Sequence, residues 1–243
     1  MDILVVVAII LVLAAIAFPI YNTSINRVNK TKALGNMTQL GSAAGMYSSQ
    51  NDGQLPAEDS KGTDTWAAAS LPDNAKAWYN ALPLIVGKKS VAQYAPNPQA
   101  FYSKENLLFL PAAPYPESDR RLSRPIFAIA INTKLQRKKD GPEKSVKMQQ
   151  ITNPSRTVLF LEQGLKGEKK AMPQQPSYDG GPKGSAKSFV ARYNGMGVIT
   201  FCDGHAEAVE GKGILEDNGM FKWPVQPGDI IWGKSTDDAD DPN

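Results

Sequence analysis

The chain has one cysteine, Cys202, and one histidine, His205, among 243 residues. A single cysteine rules out an internal disulfide framework and a thiolate zinc knuckle. A single histidine rules out any mechanism that needs two. No Gly-rich phosphate loop, no His-Glu-x-x-His and no Gly-x-Ser-x-Gly occurs in the sequence. Net charge is small, +3, and gives little reason to expect nucleic acid. Disorder is excluded along most of the length, because 42% of residues are apolar and 21% charged. The size suits one domain, or one domain with an appendage.

What is present is concentrated at the start. Ile3 to Phe18 is an unbroken run of sixteen apolar residues, followed by Pro19. As a helix it approaches the thickness of a bilayer's hydrocarbon core. It does not read as a secretory signal peptide, because only Met1 and Asp2 precede it and no basic n-region or small-x-small cleavage site is present. Beyond Asn22 the sequence turns polar, but apolar positions recur at Ile25, Val28, Leu34, Met37, Leu40, Ala44 and Tyr47. From Met37 on the steps are three, four and three, the stripe of an amphipathic helix. Arg27, Lys30 and Lys32 form a positive flank just past the apolar run. Asn51-Asp52-Gly53 and then Leu55-Pro56 stop the helix. One helix of roughly fifty residues is expected, apolar all round in its first third and one-faced thereafter.

The body reads as short strands among long loops. Expected strands are Leu107–Leu110, Pro125–Asn132, Thr157–Leu161, Gly197–Cys202 and His205–Val209, with short helices in Thr65–Ser70 and Lys76–Val86. Asp203-Gly204 predicts a two-residue hairpin turn with positive φ at both positions. Ile199 and Phe201 then face one side of the sheet, and Val198, Thr200 and Cys202 the other. Gln136–Lys147 and Lys166–Lys187 read as exposed Lys-rich loops. The fold class expected is α+β, a long N-terminal helix laid on a small antiparallel sheet. Its parts are residues 1–21 (membrane or filament-core half of the helix), 22–52 (amphipathic half), 53–235 (head) and 236–243 (acidic tail). Residues 134–187 carry net +7 and residues 188–243 net −6. The basic stretch lacks interleaved aromatics and reads as a solvated loop face rather than a nucleic-acid surface.

Three stretches resemble one family. Asp2 to Pro19 is similar to the N-terminal helix of type IV pilins and type II secretion pseudopilins, with Asp2 where the family has glutamate and Pro19 on its proline. Asn36 to Pro56 resembles the Asn-Leu-x-Gln-Leu-Gly…Tyr…Asn-Asp-Gly-x-Leu-Pro run of pilin-like proteins of planctomycetes and verrucomicrobia. Arg192 to His205 is similar to their processing-associated motif, a histidine, nine residues, then Asp-Gly. Here Tyr193 stands at the histidine position, ahead of Asp203 and Gly204. The family's leader, cleavage-site glycine and Phe-Thr-Leu-Ile do not precede Asp2, so the start lies upstream or the chain is not processed.

The resemblance implies a non-enzymatic subunit of a secretion or pilus-like filament. Its N-terminal helix would sit in the inner membrane, and its head in the periplasm or outside the cell. The implied partners are copies of itself, other pilin-like subunits and, given a leader, a prepilin peptidase. Asp2 would pair with a neighbour's N-terminal ammonium, and Pro19 would kink or locally melt the helix. The alternative is a membrane-tethered binding protein that never polymerises. No cofactor is expected. Calcium, which some pseudopilins hold in C-terminal loops, has Asp203, Glu216 and Asp217 as candidate ligands, without an EF-hand spacing to bring them together. Cys202 and His205 look superficially like a nucleophile and its base. Their expected places, a packed small hydrophobe and a surface turn residue, do not pair them.

Overall fold

One helix sets the architecture. In the computed structural model, α1 spans Ile3–Gln50, about 72 Å at 1.5 Å per residue. Residues 3–58, 62–135, 146–166, 168, 180–211, 214 and 230–233 are described, without the side chains of residues 3–5, 14, 16–20, 22 and 118. The helix runs through Pro19 without an unwound segment. Of the kink or local melting expected at Pro19, the continuous helix excludes the melting; proline's fixed φ is itself helical. Helix α1 ends where the sequence says it should. Asp52 and Gly53 both take positive φ, and the Gly53 N–H returns to the Ser48 carbonyl at 2.9 Å.

Among the described side chains of α1, the buried ones lie in its second half. Ala33, Met37, Leu40, Ala43 and Ala44 are fully buried. They recur at three- and four-residue steps, so one face of the helix is sealed against the head. Ile25 and Val28, which share the expected apolar series, are exposed. The stripe therefore begins at Ala33.

Among the described residues, short helices follow: α2 (Trp66–Ala69), α3 (Trp78–Ile85), α4 (Val91–Tyr94), α5 (Pro98–Phe101) and α6 (Ser118–Ser123). Thr65 caps α2 through its hydroxyl, and Ser90 opens α4 with a capping box. Helix α3 lies beside α1. It carries Trp78 and Tyr79 into an aromatic cluster with Phe127 and Phe160, with ring centroids 5.2–5.9 Å apart.

The sheet contains β1 (Ile129–Asn132), β2 (Val158–Glu162), β3 (Lys183–Gly184), β4 (Met196–Phe201) and β5 (Ala206–Glu210), in the order β3-β1-β2-β4-β5. The fold is α+β, but the sheet is mixed and not antiparallel as expected. Strand β3 pairs in parallel with β1, Ile131 opposite Lys183. The chain leaving β2 hops over β1 and lies along its free edge, a route that gives a parallel neighbour. Lys183 fixes it there by reaching Glu58 Oε1 at 3.2 Å. This part of Lys166–Lys187 is thus sheet and 3-10 turn rather than exposed loop, and Ala186 is buried. Gln136–Ser145, the bulk of the other expected loop, lies outside the described residues.

Leu107–Leu110 is not a strand. Leu107, Leu108 and Leu110 are buried, but Asn106 turns the backbone: its amide donates to the Phe101 carbonyl (2.6 Å) and accepts from the Leu108 N–H (3.0 Å). The hairpin's faces are as expected. Val198 and Cys202 belong to the core beneath α1, and Ile199 and Phe201 to a second apolar cluster on the other face with Phe189 and Ile214.

Candidate functional site

The residues of the processing-like motif are brought to opposite ends of one seam between α1 and β4. At one end, Tyr193-Asn194-Gly195-Met196 forms a tight turn. Asn194 and Gly195 both take positive φ (54° and 87°), and Tyr193 and Met196 exchange backbone hydrogen bonds of 2.8 and 3.1 Å. This is the Asn-Gly chemistry of a two-residue hairpin loop. Asn194 Oδ1 accepts from the Asn26 amide at 3.2 Å, so the turn touches α1 where the helix leaves the head.

At the other end, Cys202-Asp203-Gly204 joins β4 to β5. Three residues separate the hydrogen-bonded Phe201 and His205, rather than the expected two, and of Asp203 and Gly204 only Gly204 has positive φ, at 94°. The Gly204 N–H donates to the Phe201 carbonyl, and the Phe201 N–H to the His205 carbonyl, the pattern of a turn followed by one left-handed residue. Here the loop meets α1 backbone to backbone. A Cβ on Gly41 would stand 2.3 Å from the Gly204 carbonyl oxygen. Between the two ends, Thr200 Oγ1 donates to the Met37 carbonyl at 3.0 Å.

Tyr193 itself points inward. Its hydroxyl donates to Glu162 Oε1 at 2.8 Å, while Glu162 Oε2 accepts the Val198 N–H at 3.0 Å. Arg192, equally buried, lies 3.8 Å from Glu162 Oε1. It holds Glu168 through Nε and Nη2, both at 2.9 Å, and donates to the Gln163 carbonyl. Burial pushes the Glu162 carboxyl above its usual range, against the pull of Arg192, Tyr193 and Val198. Burial, then the Glu162 charge, raises the Tyr193 phenol. The sequence carries a signal for this cluster: an acid at the end of the wholly apolar run Val158–Leu161. Such a residue must be partnered when the strand is buried.

A cleft of about 710 Å³ opens between the C-terminal end of α1 and the 202–204 loop, lined by Ser48, Ser49, Asp52, Gln149, Cys202 and Asp203 among others. Glu162, Arg192 and Tyr193 do not line this cleft. Cys202 is 3% exposed, and burial followed by the Asp203 charge raises its thiol, which keeps it protonated. His205 Nδ1 sits 2.6 Å from Asp203 Oδ1, and the imidazole stacks on Phe201 at 4.6 Å. The histidine is thus committed to the turn.

Of the calcium candidates, Asp203 is engaged by His205, and Glu216 and Asp217 lie outside the described residues. Among the described residues no three metal-type side chains gather.

Of the assembly residues, Asp2 lies outside the described residues and Pro19 sits within α1. Among the described residues no helix is long and apolar enough to cross a membrane; several side chains of the apolar run, residues 3–5, 14 and 16–18, lie outside that description. The large ones described, Val6, Val7 and Ile9 to Leu13, are 41–64% exposed. Comparison with protein-family models, with curated proteins and with solved structures finds no match to this chain.

Proposed function

We propose that the chain is a pilin-like or pseudopilin subunit of a filament of the type II secretion or type IV pilus kind. It is anchored in the inner membrane by the first half of α1, with its head in the periplasm or on the filament surface, and it does no chemistry of its own. One observation carries the reading: a single helix sealed into the head over its second half and bare over its first. Seven large apolar side chains exposed on the bare half forgo on the order of 10 kcal/mol of transfer free energy. A surface of that kind is covered by lipid, by like helices, or by each in turn. The resemblance of Asp2–Pro19 to the pilin helix supplies the order: lipid before assembly, neighbouring helices after it. The sealed Cys202 thiol and the His205–Asp203 pairing argue against a nucleophile at the one place where the sequence offered its parts.

In the assembled state Asp2 would be an acid among apolar helices, costly unless paired with a neighbour's terminal ammonium. Asp2→Ala is therefore expected to abolish filaments in shear fractions and electron micrographs while leaving membrane insertion intact. Wild-type filament yield from Asp2→Ala would remove the assembly role. A wild-type chain that inserts but never polymerises is the tethered binding protein instead.

A further inference from the structure

Opposite charges stand at the two ends of the head along α1. Beyond Gln50, the cleft beside the 202–204 loop is lined by Asp52 and Asp203 and by no lysine, arginine or histidine. Helix α1 has no basic residue in its last turn. Its terminal carbonyls, the negative end of the helix dipole, therefore stand beside two acids with no cation to offset them. Asp203 gives Oδ1 to His205. Its Oδ2 and the Asp52 carboxylate have no hydrogen bond or ion pair among the described residues.

A buried hydroxyl opens onto the same cleft. Ser48, which also lines it, is 5% exposed. The neighbouring Ser49 returns its hydroxyl to the Gly45 carbonyl at 3.0 Å, the usual resort of a helical serine. The Ser48 hydroxyl has no partner among the described residues. Gly45 leaves room beside it, with nothing within 4 Å of where its Cβ would stand. Two acceptor-only carboxylates and a hydroxyl oxygen suit a group that carries positive charge and donors without acceptors. Lysine ammonium and arginine guanidinium are such groups.

The other end of the head, where Asn26 meets Asn194, offers those groups. From Ile3 to Gln50, α1 carries Arg27, Lys30 and Lys32 and no acidic residue. No carboxylate three or four positions away can neutralise them. Arg27 and Lys32 are exposed and border one strip of the helix with Val28 and Thr31. Arg27 has no ion pair among the described residues, and Lys32 interacts at a distance with the exposed Glu105. Lys32 and Arg27 precede Asp52 by about 30 and 38 Å along the axis, at 1.5 Å per residue. On the same scale the head spans about 36 Å from Asn26 to Gln50.

We propose that the cleft at the far end of one head receives Arg27 and Lys32 of a second copy, with Asp52 and Asp203 as their counter-charges and the Ser48 hydroxyl as a further acceptor. The inference rests on the filament reading and adds to it the residues and the stagger of one contact between copies. Parallel copies displaced by one head length bring the neck of one over the cleft of the next and stack the heads end to end. The two surfaces differ, so the contact is heterologous. Each copy added leaves one cleft and one neck free, and growth stays open-ended.

The test is disulfide cross-linking of full-length chains in the membranes of the producing cell. Wild type, whose one cysteine is the buried Cys202, sets the background. Ser49 lines the cleft, Thr31 adjoins Lys32, and both are exposed. Chains carrying Ser49→Cys and Thr31→Cys, told apart by an epitope tag, are expected to form a disulfide-linked heterodimer under mild oxidation. One chain carrying both cysteines should give a ladder. Adding Asp52→Asn and Asp203→Asn to the Ser49→Cys chain should cut the heterodimer by at least about fivefold, the worth of one exposed ion pair. Arg27→Gln with Lys32→Gln in the Thr31→Cys chain should do the same, and so should added salt. Asparagine keeps the Oδ1 acceptor of Asp203 and tolerates the positive φ of Asp52, so these variants preserve both turns. If either cysteine links to its own kind as readily as to the other, the staggered contact is overturned. A heterodimer yield that the charge variants leave unchanged overturns it too. Shear fractions read the filament separately. Wild-type filaments without the heterodimer remove this contact and leave the filament reading standing, while the absence of both removes both.

Discussion

The two halves of α1 share one backbone geometry and differ in what surrounds them. Along the inner half the head-facing seam reads Ala33, Asn36, Met37, Leu40, Ala43 and Ala44, all buried. Continued upstream at the same three- and four-residue steps, the seam reaches Asn29 and Asn26, both only half-buried. Asn36 is tolerated within the seal because its amide donates to the Phe109 carbonyl at 3.1 Å. Asn26 has Asn194, and there the head lets go. Upstream, over residues 3–18, the sequence is apolar on every side of the helix. Helix formation is therefore common to both halves, while the distribution of apolar residues around the axis decides what each half binds. The most direct way to break this comparison is one substitution made in each half. Leu40→Ala, in the seal, is expected to lower unfolding stability by about 2–5 kcal/mol. Leu11→Ala, 64% exposed on the bare half, should move it by no more than about 0.5 kcal/mol while reducing membrane partition or filament yield. Near-ultraviolet circular dichroism during chemical unfolding in detergent measures the first effect. Equal losses from the two variants would mean that the bare half is packed on the head after all.

A second pair of variants sharpens the boundary through sign. Alanine is worth about 1 kcal/mol more than glycine inside a helix. At Gly35, with open space around the missing Cβ, the substitution should be stabilising by up to that amount. At Gly41 the new methyl meets the Gly204 carbonyl oxygen at 2.3 Å and Thr200 Cγ2 at 2.7 Å. The obstacle is partly backbone and cannot rotate away, so overpacking of about 1–3 kcal/mol outweighs the helix gain. Gly35→Ala and Gly41→Ala should therefore shift the unfolding midpoint in opposite directions. A stabilised Gly41→Ala would show that the 202–204 loop is not held against the helix.

Much of this was legible in the sequence because the signals were local. The stop at Asn51-Asp52-Gly53, the capped helix at Thr65–Ser70, and the two faces of the β4–β5 hairpin follow from turn chemistry and from periods of 3.6 and 2. Leu107–Leu110 misled because a four-residue apolar run has no period of its own, and Asn106 decided its conformation. Strand β3 is two residues long and parallel, placed by a distant β1, and no pattern within Lys183-Gly184 could announce it. The cluster of Glu162, Glu168, Arg192 and Tyr193 spans some thirty residues of sequence and exists only once β2 and β4 are neighbours. Its two outer signs were nonetheless in the sequence: the acid closing Val158–Leu161, and the Asn194-Gly195 dipeptide that turns Tyr193 inward.

That cluster also sets where the two halves of α1 divide, since the turn receiving Asn26 is pinned by Tyr193 and Val198 onto Glu162. The smallest expected effect tests this support. Burial raises the Glu162 carboxyl above its unfolded value of 4.5, so between pH 4.5 and its raised value the folded chain binds more protons than the unfolded one. Over that window stability must fall as pH rises, by at most about 1.4 kcal/mol per pH unit for one proton. Below pH 4.5 both states are protonated and this contribution is fully present. The Tyr193 hydroxyl suits either form, because it can donate to a carboxylate or accept from a carboxylic acid. Glutamine mimics the neutral carboxyl: its oxygen can take the Val198 N–H and its amide can donate to Tyr193. Glu162→Gln should therefore fold, keep the Asn26–Asn194 contact and lose this part of the pH slope, read as the difference between the two unfolding profiles from pH 4.5 upward. If wild type gains stability relative to Glu162→Gln as pH rises through that window, then Arg192 at 3.8 Å outweighs burial. The cluster would then be an ion pair that holds the turn through charge rather than through a shared proton.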